Sequence, residues 1–164
     1  MVNAALQRYL RNDGEMTDLN DEKKIDQSQP ILFAHRGGQG DAPENTLDAF
    51  SLAISKGVDG IESDVWLSSD GIPILSHNNA VGIWGRRKKI SKTLISQLPE
   101  EVPSFENFYE NFGPNLEVSL DIKDPKAINA TISIATKYDA ISKLWICYPD
   151  WEISKQWRKI NPDF

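Results

Sequence analysis

Short apolar runs closed by glycine or polar residues alternate along this chain with stretches whose apolar positions fall three and four apart. The first run, 31–34, predicts a strand that stops at His35, ahead of the glycine-rich loop 37–40. Asn45 or Thr46 can cap a helix running to about Lys56, with Leu47, Phe50, Ala53 and Ile54 on its apolar face and Gly57 at its end. Residues 60–67 alternate strictly, one face carrying Ile61, Ser63, Val65 and Leu67, the other Glu62, Asp64 and Trp66. Ser69-Asp70-Gly71 is a turn signal, after which 72–76 predicts a short strand ending at His77. Stretches 93–98 and 104–112 predict helical pieces, and the stripe Phe105, Phe108, Tyr109 and Phe112 reads as core. Strands over 116–123 and 144–148 and helices over 125–138 and 151–160 complete the pattern. Strand and helix in this rhythm predict an α/β fold on a parallel sheet.

Composition narrows the picture. A chain of 164 residues implies one domain with a sizeable core, which the pattern places at 30–164. Residues 1–29 are expected to be an extension, with a short helix over 1–11 and a polar linker over 13–29. The net charge of −6 argues against a nucleic-acid coat protein and means that a phosphate site must rely on local Arg, Lys or a metal. Cys147 is the single cysteine, so no internal disulfide can form, and its apolar run predicts a core position. No stretch approaches the roughly 20 apolar residues of a membrane span. The charged start does not read as a signal peptide, so a cytoplasmic location is expected. The basic run Arg86-Arg87-Lys88-Lys89 reads first as a solvated loop, with a lipid or phosphate contact as the sharper alternative.

Several strands end in chemistry. Parallel α/β folds build their sites at the carboxyl ends of strands. Glu62 and Asp64 share one side of a strand, and two carboxylates forced together persist when something positive lies between them. Such oxygen ligands suit Mg²⁺ or Ca²⁺; a solvated edge face is the plain alternative. Asp121 and Lys123 repeat the spacing with opposite charges, able to supply a third carboxylate and a phosphate partner, or simply to solvate a strand face. His35 and His77 are the only histidines, each closing an apolar run, and two imidazoles facing one phosphate can serve as base and acid. Arg36 carries a guanidinium that matches a phosphate, and Glu44 can orient it or cap the following helix, the cap being the safer expectation.

Five blocks in order carry a resemblance: His35-Arg36-Gly37, Pro43-Glu44-Asn45-Thr46, Gly60-Ile61-Glu62-Ser63-Asp64-Val65, Asp70-Gly71-Ile72-Pro73-Ile74-Leu75-Ser76-His77 and Leu120-Asp121-Ile122-Lys123. Together they resemble the glycerophosphodiester phosphodiesterase family, over 31–164 almost continuously. The resemblance implies a TIM barrel that hydrolyses a small glycerophosphodiester, such as glycerophosphocholine, to glycerol 3-phosphate and an alcohol with Mg²⁺ or Ca²⁺. It implies Glu62, Asp64 and Asp121 as metal ligands, His35 and His77 as the acid–base pair, and Arg36 and Lys123 on the phosphate. Asn78 stands where the family usually has Asp, and Asp121 where it more often has Glu. A TIM barrel needs about 200 to 250 residues. An incomplete barrel of about four βα units, C-terminally truncated, is therefore expected, with open sheet edges that favour self-association. Two other functional readings stand beside the hydrolase: a non-catalytic fragment that binds metal and phosphodiester, and a phospholipase D-like enzyme of the same barrel. The absence of cysteine pairs and of a signal peptide speaks against the last.

Overall fold

A computed structural model describes residues 30–38, 40–83 and 86–160. The expected helix and linker of the first 29 residues lie outside them. Four strands form a parallel path in the order β1 (Phe33–His35), β2 (Gly60–Leu67), β6 (Glu117–Ile122) and β7 (Leu144–Cys147). Helices α1 (Leu47–Ser55), α2 (Phe105–Phe112), α3 (Ile128–Lys137) and α4 (Trp151–Ile160) follow β1, β2, β6 and β7 along the chain. No helix among the described residues is long and apolar enough to cross a membrane.

Local chemistry sets the helix boundaries. Thr46 is the cap of α1, its Oγ1 accepting from the Ala49 N–H at 3.2 Å. Ser104 and Asn107 form a reciprocal capping box on α2. Asp124 and Pro125 open a turn of 3₁₀ helix, Pro125–Ala127, before α3 proper. The second expected helical piece of the central stretch is α2; the first is a single 3₁₀ turn, Ile95–Gln97.

One strand departs from the parallel rhythm. β3 (Pro73–Leu75) pairs antiparallel with the last residues of β2, Leu67 against Pro73 and Val65 against Leu75. The turn joining them is too short for a crossover, and only an antiparallel return fits it. A small hairpin, β4 (Ala80–Val81) and β5 (Lys88–Lys89), follows.

The core lies between the sheet and its helices. Ile61, Val65, Leu120 and Ile122 meet Phe50 of α1, Phe105 and Phe108 of α2, and Ile128 and Ile132 of α3. Phe50 has no exposed surface and packs edge-on against Phe108, ring centres 5.6 Å apart. The other sheet face carries the polar residues of β2 and β6. Gly60 is required there, since a Cβ would lie 2.3 Å from the Glu117 carbonyl oxygen and 2.8 Å from the Phe33 ring.

Truncating the central aromatic tests this core. Phe50→Ala is expected to cost about 3–5 kcal/mol in urea unfolding, whereas Leu52→Ala, on the outer side of the same helix, should cost well under about 1.5 kcal/mol. Equal losses would show that α1 does not bury the predicted face.

Candidate active site

Register brings the acidic residues together. β2 and β6 run side by side with Glu62 opposite Ser119 and Asp64 opposite Asp121, while His35 of β1 lies opposite Glu62. Asp64 is only 2 % exposed and sits between two cations: Arg36 Nε at 3.3 Å from Oδ2 and Lys123 Nζ at 3.1 Å from Oδ1. Lys123 also donates to Asp121 Oδ2 at 2.5 Å, so one ammonium joins the ends of two strands. Burial works against its charge, but hydrogen bonds to Asp121 and Asp64 outweigh that and raise its pKa above the ordinary lysine value.

Arg36 reaches this position through its backbone. It takes a left-handed conformation, φ +54°, directly after β1, and its N–H donates to the Glu62 carbonyl at 2.8 Å and approaches Glu62 Oε2 at 3.3 Å. Gly37 continues the turn with φ +80°, packed so closely on α1 that a Cβ would lie 2.8 Å from that of Ala49. The guanidinium Nη1 donates to Glu44 Oε2 at 3.2 Å. Glu44 thus orients Arg36, the role the sequence reading ranked second. Below it, buried Asn45 accepts from Ser63 Oγ at 2.6 Å. This contact was not foreseen, although a serine between Ile61 and Val65 on the core face signals a buried hydroxyl needing a partner.

His77 arrives by the antiparallel return. The Ser76 N–H donates to the Asp64 carbonyl at 2.9 Å, and Trp66 Nε1 donates to the His77 carbonyl at 3.4 Å. His35 Nε2 lies 3.7 Å from Glu62 Oε2. Burial, then the neighbouring Arg36, hold the His35 pKa below the ordinary imidazole value, with His77 adding a smaller push in the same direction against Asp64 and Glu44. His35 therefore stands neutral near pH 7. His77, Asn45 and Glu44 border a cavity of about 410 Å³. Asn78 is exposed, and its carbonyl accepts from Ser76 Oγ.

Glu62 is the uncompensated member. Burial first, and then the charge of Asp64, push its carboxyl up to about 7, with Asp121 adding to the effect. Among the described residues the site holds four carboxylates (Glu44, Glu62, Asp64, Asp121) against two permanent cations (Arg36, Lys123). Asp64 Oδ2 is buried and faces Arg36 Nε without hydrogen-bond geometry. An all-oxygen set short of two positive charges, with one orphaned oxygen, fits a hard divalent cation. As packed, Lys123 stands between Asp64 and Asp121, and no group of three or more His, Cys, Asp or Glu side chains poised for a metal occurs among the described residues.

Comparisons with known proteins place the chain in a family. The family model for the glycerophosphoryl diester phosphodiesterase family matches residues 35–159. The chain is 56 % identical over 49 residues to human glycerophosphodiester phosphodiesterase 1, covering 30 % of this chain and 15 % of that protein. With a glycerophosphodiester phosphodiesterase from Bacillus altitudinis it shares 36 % identity over 95 residues, or 56 % of this chain and 39 % of that protein. A crystal structure of a glycerophosphodiester phosphodiesterase from Thermotoga maritima superposes with TM-score 0.71 at 30 % identity, covering 79 % of this chain and 58 % of that one. The chain thus spans less than two thirds of the length of these relatives. Since the family match takes in β1 through α4, the fold is of the TIM-barrel type and the chain belongs to the glycerophosphoryl diester phosphodiesterase family.

Proposed function

We propose that this chain catalyses the hydrolysis of glycerophosphodiesters to glycerol 3-phosphate and an alcohol. The observation that carries the reading is the convergence of His35, Arg36, Glu62, Asp64 and Lys123 from three strand ends onto one charged patch, within a family match that spans the same residues. Membership of this family supports the reaction class, and the relatives, named as glycerophosphodiester phosphodiesterases, suggest the substrate class.

In this reading Arg36 and Lys123, already desolvated and held by carboxylates, face the phosphate oxygens with their remaining donors. Neutral His35 takes the proton from the glycerol 2-hydroxyl as its oxygen bonds to phosphorus. The phosphorus–oxygen bond to the alcohol breaks, and His77, delivered by the antiparallel return of β3, protonates the departing oxygen. Water then opens the resulting cyclic phosphate to glycerol 3-phosphate, the two histidines exchanging roles. Glu62, Asp64 and Asp121 would hold a divalent cation once Lys123 turns towards substrate. Bound there, Mg²⁺ or Ca²⁺ would supply charge neutralisation for the phosphoryl oxygens. Until a cation binds, the Asp64 carboxylate positions both Arg36 and Lys123.

Two measurements test this. Enzymatic assay of glycerol 3-phosphate released from glycerophosphocholine should show activity that requires Mg²⁺ or Ca²⁺, falls about 10²–10⁴-fold in His35→Ala and in His77→Ala, and is lost in Lys123→Ala. Activity indifferent to chelator and to both histidines would overturn the assignment.

The second measurement is stability against pH. Glu62 holds its proton to about pH 7 in the folded chain but only to about 4.5 when unfolded. The native state therefore binds more protons between those values, and stability falls as pH rises through the window, by about 3 kcal/mol if Glu62 acted alone. Urea unfolding in chelator should show that decline, and Glu62→Gln should flatten it. Added Mg²⁺ or Ca²⁺, favouring the ionised carboxyl, should raise the melting temperature more at pH 8 than at pH 5.

A further inference from the structure

The hairpin β4–β5 and the turn after it take no part in the ion pairs of the site, yet they concentrate positive charge. No acidic residue occurs between Asp70 and Glu100 in a chain of net charge −6, and this stretch contains Arg86, Arg87, Lys88, Lys89 and Lys92. All five are exposed. Among the described residues no carboxylate pairs with any of them. Their recorded side-chain bonds go to backbone carbonyls, Arg87 Nη2 to Ala80 O at 2.5 Å and Lys88 Nζ to Gln97 O at 2.5 Å. Those bonds fix side chains without neutralising them. Along the run itself the charge is of one sign, where a solvated surface ordinarily intersperses both. Asp70, at the Ile95 N–H, and Glu44 and Glu101, on the cavity that Arg87 also lines, are acidic neighbours.

Exposed apolar side chains flank that charge along the chain. Ile83, just past β4, is 73 % exposed, and Leu94, beyond Lys92, is 43 % exposed. Position adds a third observation. Ala80, Val81, Gly82 and Arg87 of the hairpin line the same cavity as His77. Whatever covers the hairpin therefore covers the mouth beside a proposed catalytic group.

We propose that the β4–β5 hairpin docks this protein on an anionic lipid surface, Ile83 entering the headgroup boundary while the five cations face lipid phosphates and carboxylates. Charge complementarity selects an anionic partner, and the exposed aliphatic side chain selects lipid over a polynucleotide, which offers it nothing to enter. Docked this way, the cavity beside His77 opens towards the bilayer. The docking itself is independent of the hydrolytic reading and can be tested without activity.

The test is co-sedimentation of the full chain with vesicles, either phosphatidylcholine alone or phosphatidylcholine with 30 % phosphatidylserine, an amount chosen as about that of an anionic leaflet. Binding to the phosphatidylserine vesicles is expected to be at least about tenfold stronger, and to be released by salt as the Debye length shrinks. Each cation removed should weaken it by about fivefold, so Arg86→Gln/Lys88→Gln/Lys89→Gln should lose about a hundredfold. Because Lys88 also holds a carbonyl, Ile83→Asp serves as a second variant, expected to weaken vesicle binding with an unchanged melting temperature. Equal binding to both vesicles would overturn the proposal. So would undiminished binding by both variants, or retention on a polynucleotide with none on vesicles.

Discussion

Asp64 is the constraint on which the site depends. A carboxylate with 2 % exposure survives in ionised form only if its lost hydration is replaced, and here Arg36 and Lys123 replace it from opposite sides. Arg36 comes from the exit of β1 and Lys123 from the end of β6, so three elements are fixed relative to one another by one charge. Removing either cation would strand a buried negative charge, a change that costs about 3–5 kcal/mol in comparable pairs. The left-handed backbone of Arg36 and the glycine after it are accepted on the same account. They turn the chain sharply enough to bring the guanidinium back over β2.

The same charge explains why Glu62 differs from its neighbour. Both cations nearest Asp64 are already engaged there, and Glu62 is left with the Arg36 N–H and the field of two carboxylates. Its pKa rises accordingly. Two carboxylates on one strand face, Asp64 buried and Glu62 half-buried, thus end with unlike electrostatic roles: one organises the site, the other is the vacancy in charge that a cation can fill.

Much of this was legible in residue order. Strict alternation over Gly60–Leu67 fixed which side chains share the polar face, because the pleat admits no other arrangement. The pairing of Asp64 with Asp121 was not legible, since register between strands separated by more than fifty residues is a property of the whole sheet. The direction of β3 had a local signal in the shortness of the turn at Ser69-Asp70-Gly71, which the expectation of a parallel rhythm obscured. Glu44 shows a different limit. Thr46 and Glu44 are both credible caps, and only the position of Arg36, set by its unusual φ, decides that threonine caps and glutamate pairs.

Beneath the charges lies a floor that makes them strong. Phe33 and Trp145, from strands at opposite ends of the four-strand path, meet edge to face with ring centres 6.1 Å apart. They can meet only because Gly60 on β2 contributes no side chain in the space between, where a Cβ would strike the Phe33 ring and the Glu117 backbone. Trp145 Nε1 donates to Glu117 Oε2 at 2.6 Å. Barrel interiors are filled in such layers. The glycine that begins β2 therefore admits an apolar layer on the same sheet face as Glu62 and Asp64, and apolar neighbours strengthen charge interactions beside them by lowering the local dielectric.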